Sequence, residues 1–307
     1  VILLTVSLTI TLFGGFVRAQ ESSAVRASGD ANSSGTIVWT LYENGDFVLE
    51  GTGATGRYAN TAKRPWANYT PYIKKVVVSE GITDLGTNLF TDCKYLTRVS
   101  LPTTLERIRG NVFMNCTSLY DISLPDSLNS LGVCAFLGCE ALESINIPEG
   151  ITTIESQTFQ DCSRLKEPVL PVSLKTIGNN AFYSCTGFKS IIIPDHVETV
   201  YEHSYYGCSS VTEVLIGSGL TSILDTQGAD ISRDNNNGVP FDGLSSLESI
   251  VVSEDNTVFD SRDNCNALVL TEQNKIIRGC KASTVPASVT VIGENPFRSC
   301  ALDSIAF

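Results

Sequence analysis

Hydrophobic and polar positions along the chain repeat with a fixed period of 23 residues. Phe90-Thr-Asp-Cys93 returns as Phe113-Met-Asn-Cys116, Phe136-Leu-Gly-Cys139, Phe159-Gln-Asp-Cys162, Phe182-Tyr-Ser-Cys185 and Tyr205-Tyr-Gly-Cys208. Between the aromatics lie Leu119, Ile122, Leu124, Pro125, Leu128 and Leu131, and one unit later Leu142, Ile145, Ile147, Pro148, Ile151 and Ile154. Self-similarity at this period marks a solenoid. Ile122-Ser123-Leu124 places two apolar side chains on one face with a polar one between, a short half-buried strand. The following proline has no N–H for a ladder and turns the chain. The aromatic-x-x-Cys segment predicts a turn or a single helical turn on the opposite side. No unit buries its apolar set alone, so units stack at about 4.8 Å into a parallel sheet over a continuous core.

The pattern Leu-x-x-Ile-x-Leu therefore predicts a β-rich solenoid of leucine-rich-repeat type. Its sheet is parallel, with short turns or helical turns opposite. Trp66 stands near the aromatic position of an earlier, degenerate unit. Ahead of it, Thr36-Ile-Val-Trp-Thr-Leu-Tyr42 and Phe47-Val-Leu-Glu50 flank Glu43-Asn-Gly-Asp46, which predicts a hairpin capping the open end over residues 36–66. The array is expected over 67–307, interrupted twice. Residues 225–238 delay the next aromatic from 228 to Phe241 and are polar, so an exposed loop is expected. Residues 253–281 form a non-repeat island in which two apolar runs flank Thr271-Glu-Gln-Asn274, a hairpin with a four-residue loop.

Residues 1–19 read as the apolar core and cleavage site of a secretory signal that lacks its basic start. A membrane anchor competes, but about 16 apolar residues fall short of the roughly 20 that span a bilayer. Residues 20–35 are small and polar and read as a flexible terminus. The 307 residues carry 33 acidic against 21 basic side chains, a net charge of −12, which disfavours nucleic acid as a partner. Only two histidines are present, leaving little scope for His-based catalysis.

Trp39-Thr-Leu, Gly51-Thr-Gly53, Pro65-Trp66, Ile73-Lys-Lys-Val-Val-Val and the Phe-x-x-Cys-x-x-Leu-x-x-Ile-x-Leu-Pro coils resemble the BspA-like leucine-rich-repeat surface proteins. The run from Ser261 to Cys280 resembles an island found among their repeats. The resemblance covers roughly residues 36–307 and implies a secreted or cell-surface protein acting in adhesion and protein binding. It brings no catalytic motif, cofactor or small-molecule substrate, and it names no ligand. Pro168, at a strand position usually held by Ile or Val, departs from the pattern, as does Gly217 in place of the strand-ending proline.

Candidate chemistry is sparse. Gly51-x-Gly53-x-x-Gly56 matches a dinucleotide fingerprint by letters, but no helix pattern follows it. Asp234-Asn-Asn-Asn-Gly238 lacks the spaced acidic ligands of a calcium loop. His196 and His203 fall at variable surface positions without a triad pattern. Cysteines 93, 116, 139, 162, 185, 208 and 300 are expected to stack as buried thiols, with Cys134 outside the scheme. A Leu270–Lys275 closing pair would set Cys265 opposite Cys280, the disulfide candidate. Binding is expected on the outward strand positions. Val169, Ile192, Leu215 and Val251 form an apolar stripe there, rimmed by Glu167 and Glu213. The insertion loop is a second candidate. The reading is a non-catalytic adhesion module for a host or matrix protein, and the alternative is a passive stalk within a larger surface protein.

Overall fold

The structure, a computed structural model, describes residues 23–232 and 239–300. The signal reading of residues 1–19 lies outside them. The front sheet runs in the order Val25–Asp30, Ile37–Tyr42, Asp46–Gly51, Lys75–Val78, Arg98–Ser100, Asp121–Ile122. The first two pairings are antiparallel and the rest parallel. Phe47 sits opposite Val76, Val76 opposite Val99 and Val99 opposite Ile122. The N-terminal hairpin is thus the first rung of the sheet as well as its cover. Part of the terminus read as flexible is itself a strand: Val25–Asp30 pairs along Ile37–Tyr42, because a free edge there would expose main-chain groups.

Behind the front sheet the chain forms a second parallel ladder, where turns alone were expected. Its strands are Gly53–Ala54, Ile82–Leu85, Arg107–Ile108 and Ser130–Leu131, then Thr153–Ile154, Thr176–Ile177, Thr199–Tyr201 and Ser222–Leu224. The anchors at Leu131, Ile154 and Ile177 are buried, so their backbone groups need partners, and neighbouring coils supply them: Leu131 pairs with Ile108, Ile154 with Ile177 and Ile177 with Val200.

At the third corner Phe90, Phe113, Phe136, Phe159, Phe182 and Tyr205 stack with ring centroids 5.2–5.8 Å apart. Such stacking contributes about 0.5–1.5 kcal/mol per pair beyond the buried area. Each thiol from Cys116 to Cys208 donates to the carbonyl of the aromatic in the preceding coil, at 3.2–3.3 Å. Burial pushes these thiols up, to about 12 for Cys93 and Cys208. Cys300, the expected last member, is only partly buried and donates to Gly279.

The corner requires two left-handed residues per coil. One series is Asn88, Asn111, Cys134, Gln157, Asn180 and His203; the other includes Asp92, Asn115, Gly138 and Gly207. Asn and Gly reach this conformation at least cost, which explains their recurrence. Cys134 therefore stands at an asparagine position of the corner, outside the thiol stack. At the N-terminal end Trp66 stacks on Phe90 at 6.2 Å, and buried Arg64 donates to the carbonyls of Leu89 and Thr91 at 3.2 and 2.8 Å.

Two further expectations change. The described part of the insertion is not simply exposed. Asp225 accepts from Gln227 and Ala229, the chain folds back so that Ile231 donates to Ile223, and Ile231 and Ser232 are buried. Residues 233–238 lie outside the described set. In the island, Ala267–Leu270 and Lys275–Gly279 pair antiparallel with the expected closing pair Leu270↔Lys275. A bulge then shifts the register, so that Leu268 faces Arg278 and Ala267 faces Gly279. Continued by one and two residues, that register sets Cys280 against Asn266 and Cys265 against Lys281. Both cysteines are free thiols, and Cys280 donates to the carbonyls of Asn266 and Glu248 at 3.2 and 3.0 Å.

Candidate functional site

The front sheet stops and restarts. After Asp121–Ile122 the next two coils contribute no strand to it, and a second front sheet begins at Ser190–Ile193 and continues through Glu213–Ile216 and Ser249–Val252. In the first strandless coil the side chain of Asn146 stands in for the ladder. Its amide accepts from Leu124 N–H at 3.0 Å and donates to Leu124 C=O at 2.7 Å. In the second, Pro168 has no N–H to give, so the ladder fails at that point. Glu167 compensates by turning its carboxylate back, where it accepts from the N–H groups of Lys189 and of Ser190, the latter at 2.8 Å. Burial raises the Glu167 pKa, but these main-chain donors outweigh it and hold the carboxyl below its ordinary range.

Along the second sheet, inward and outward residues alternate cleanly. Ile191, Ile193, Val214, Ile216, Ile250 and Val252 are buried, and the register places Ile192 beside Leu215 and Leu215 beside Val251. Ile192 and Val251 are exposed, while Leu215 between them is half-buried. Val169 is 87% exposed, because its coil carries it clear of any neighbouring strand. The structure thus groups three of the four stripe residues into one sheet face and sets Val169 across the break from them. Glu167 is committed to main-chain donors, so it is a structural carboxylate of the break and not a free rim charge. Glu213 is half-buried on the flank of its strand.

The break opens an apolar cleft of about 330 Å³ between residues 167–170 and the Ser190–Ile193 strand, walled by Phe182, Phe188 and Tyr205. Sequence reasoning missed it, although Pro168 was the available signal. His196 lines this cleft and the adjoining groove under Ile192, Leu215 and Val251, and its Nε2 is buried with no partner among the described residues. No group of three or more His, Cys, Asp or Glu side chains among the described residues could hold a metal ion. No helix among them is long and apolar enough to cross a membrane.

Among solved structures, a leucine rich cell surface protein from Faecalibacterium prausnitzii is similar at 22% identity and TM-score 0.54, over 94% of this chain and 77% of that one. That likeness shows the fold. A leucine-rich repeat protein from Bacteroides ovatus matches at 17% identity and TM-score 0.47, over 94% of this chain and 81% of the other. One from Eubacterium ventriosum matches at 21% identity and TM-score 0.37, covering 92% of this chain but only 60% of its own length. No curated protein matches the sequence. The model of the BspA type leucine rich repeat region matches in six copies over residues 66–186 and 132–227, more than half of the chain. The 23-residue coil, its aromatic-cysteine corner and this match lead to one conclusion: the chain belongs to the BspA-type leucine-rich-repeat family.

Proposed function

We propose that the protein is a non-catalytic protein-binding module of a secreted or cell-surface adhesin, and that it binds through the face carrying Ile192, Leu215 and Val251. The observation that carries this reading is their juxtaposition across three hydrogen-bonded strands, outward and next to an apolar cleft. Contiguous apolar surface on a soluble face marks interaction sites, and a rigid parallel sheet presents it with little ordering cost. The cell-surface description of the Faecalibacterium structure, brought to this chain, supports display outside the cell. The net charge of −12 favours neutral or basic partners.

The test is surface-plasmon binding of the intact array to a panel of immobilised extracellular-matrix and epithelial-surface proteins, with the Leu215→Asp/Val251→Asp double variant beside it. Saturable binding that the double variant loses at least tenfold supports the reading. A folded array that binds nothing on the panel favours the passive stalk.

A further inference from the structure

The cleft at Pro168 has features that a flat adhesive face lacks. In a parallel ladder the N–H and C=O of one residue go to the same neighbour, and the residues on either side point the other way. Ile191 and Ile193 face Val214 and Ile216 in register, and Gly217 donates to the Ile193 carbonyl at 2.7 Å. Ser190 and Ile192 therefore direct their main-chain groups toward residues 166–170. Ser190 N–H finds Glu167 there. Ile192 N–H and C=O meet no partner among the described residues, because the coil carrying Pro168 forms no strand. Nε2 of His196 is a third open group on the same wall.

An occupant must fill apolar space and also answer main-chain hydrogen-bonding groups, which a hydrocarbon cannot do. An extended polypeptide does both, since its backbone offers donors and acceptors while alternate side chains point into the cleft. Charge sharpens the choice. The Asp195 carboxylate lines the adjoining groove and Glu213 opens the neighbouring strand, on a chain of net charge −12, while the Glu167 carboxylate is already taken by main-chain donors and has Lys189 as its neighbouring cation. We propose that this cleft seats one extended segment of a protein partner, with alternating aliphatic side chains and lysine or arginine flanks, held by the Ile192 main chain. The proposal rests on the protein-binding reading above and adds the occupant and its mode of attachment.

The experiment uses a fluorescein-labelled synthetic peptide of alternating valine and threonine flanked by lysines, titrated with the intact array and followed by anisotropy. Three comparisons accompany it: the same peptide N-methylated at alternate residues, its glutamate-flanked version, and the array carrying Pro168→Ile, which restores a donor and a strand-forming residue. Saturable binding is expected, weakened at least tenfold by each change. Val169→Asp places a carboxylate at the mouth of the cleft on a residue 87% exposed, so it tests the cleft even if Pro168→Ile does not fold. It is expected to leave affinity for the lysine-flanked peptide intact or raise it, and to weaken the glutamate-flanked one further. Absent binding, or binding indifferent to N-methylation and to Pro168→Ile, overturns the proposal. If Leu215→Asp/Val251→Asp abolishes binding to panel proteins while Pro168→Ile does not, the face is retained and the cleft discarded.

Discussion

Asn146 holds Leu124 by both main-chain groups: its side-chain amide accepts from the Leu124 N–H at 3.0 Å and donates to the Leu124 C=O at 2.7 Å. A side chain thereby does the work of a strand at the coil where the front sheet stops. Asn146→Ala leaves both Leu124 groups without that partner, and each such hydrogen bond contributes about 1 kcal/mol. Chemical denaturation should show a loss of about 1–2 kcal/mol. Asn146→Asp, which keeps an acceptor and loses the donor, should fall between. A loss below about 0.3 kcal/mol for the alanine variant would remove Asn146 from the ladder's support.

Glu167 makes the same repair with charge. Its folded-state pKa is held low, so its contribution is present above the unfolded carboxylate pKa and is lost as pH falls through the folded value. Denaturation of the wild type and Glu167→Gln at successive pH values should show a gap of about 0.5–1 kcal/mol at neutral pH, discounted because the group is well exposed to solvent. The gap should close on acidification below the ordinary carboxylate range. A gap that widens in acid would contradict the assignment.

Phe159 lies mid-stack, 5.6 Å from Phe136 and 5.5 Å from Phe182. Phe159→Ala removes both contacts and leaves a cavity between coils, and large-to-small changes of this kind cost about 3–5 kcal/mol. Because each coil contacts only its neighbours, the loss should appear as local opening around residues 136–185, read by amide exchange.

Arg278 is fully buried, and its Nη1 donates to Asp242 at 2.9 Å, while Nε and Nη2 have no partner among the described residues. The pair ties the island to the array. Asp242→Ala strands a buried charge and should cost about 3–5 kcal/mol, whereas the double change Asp242→Leu/Arg278→Met should recover most of it. Thermal unfolding of the variants separates the two outcomes.

The thiol stack should be inert. Burial pushes the pKa of Cys116, Cys139, Cys162 and Cys185 up, and the reactive species is the thiolate. Native-state alkylation near pH 8, read by peptide mass spectrometry, should mark Cys134, which is partly exposed, before any of these four. Equal labelling of the stack and Cys134 in the folded protein would count against the burial shown here.

The sequence by itself determined the period, the proline turn, the aromatic and cysteine stacks and the N-terminal hairpin. Each is a burial requirement imposed on every coil, so Phe136 or Cys139 can be placed from spacing alone. The outward stripe was legible for the same reason, since alternation fixes which side Ile192 faces. What only the tertiary structure decided depends on partners in other coils. A strand exists only where its neighbour offers matching groups, so the coil that Pro168 keeps from forming a strand leaves main chain open at Ile192, in the next coil. Glu167 looked like a rim charge until the missing rung gave its carboxylate donors to accept from. The bulge after Val269 likewise shifted the cysteine pairing by one residue, a displacement that no count of spacings contains.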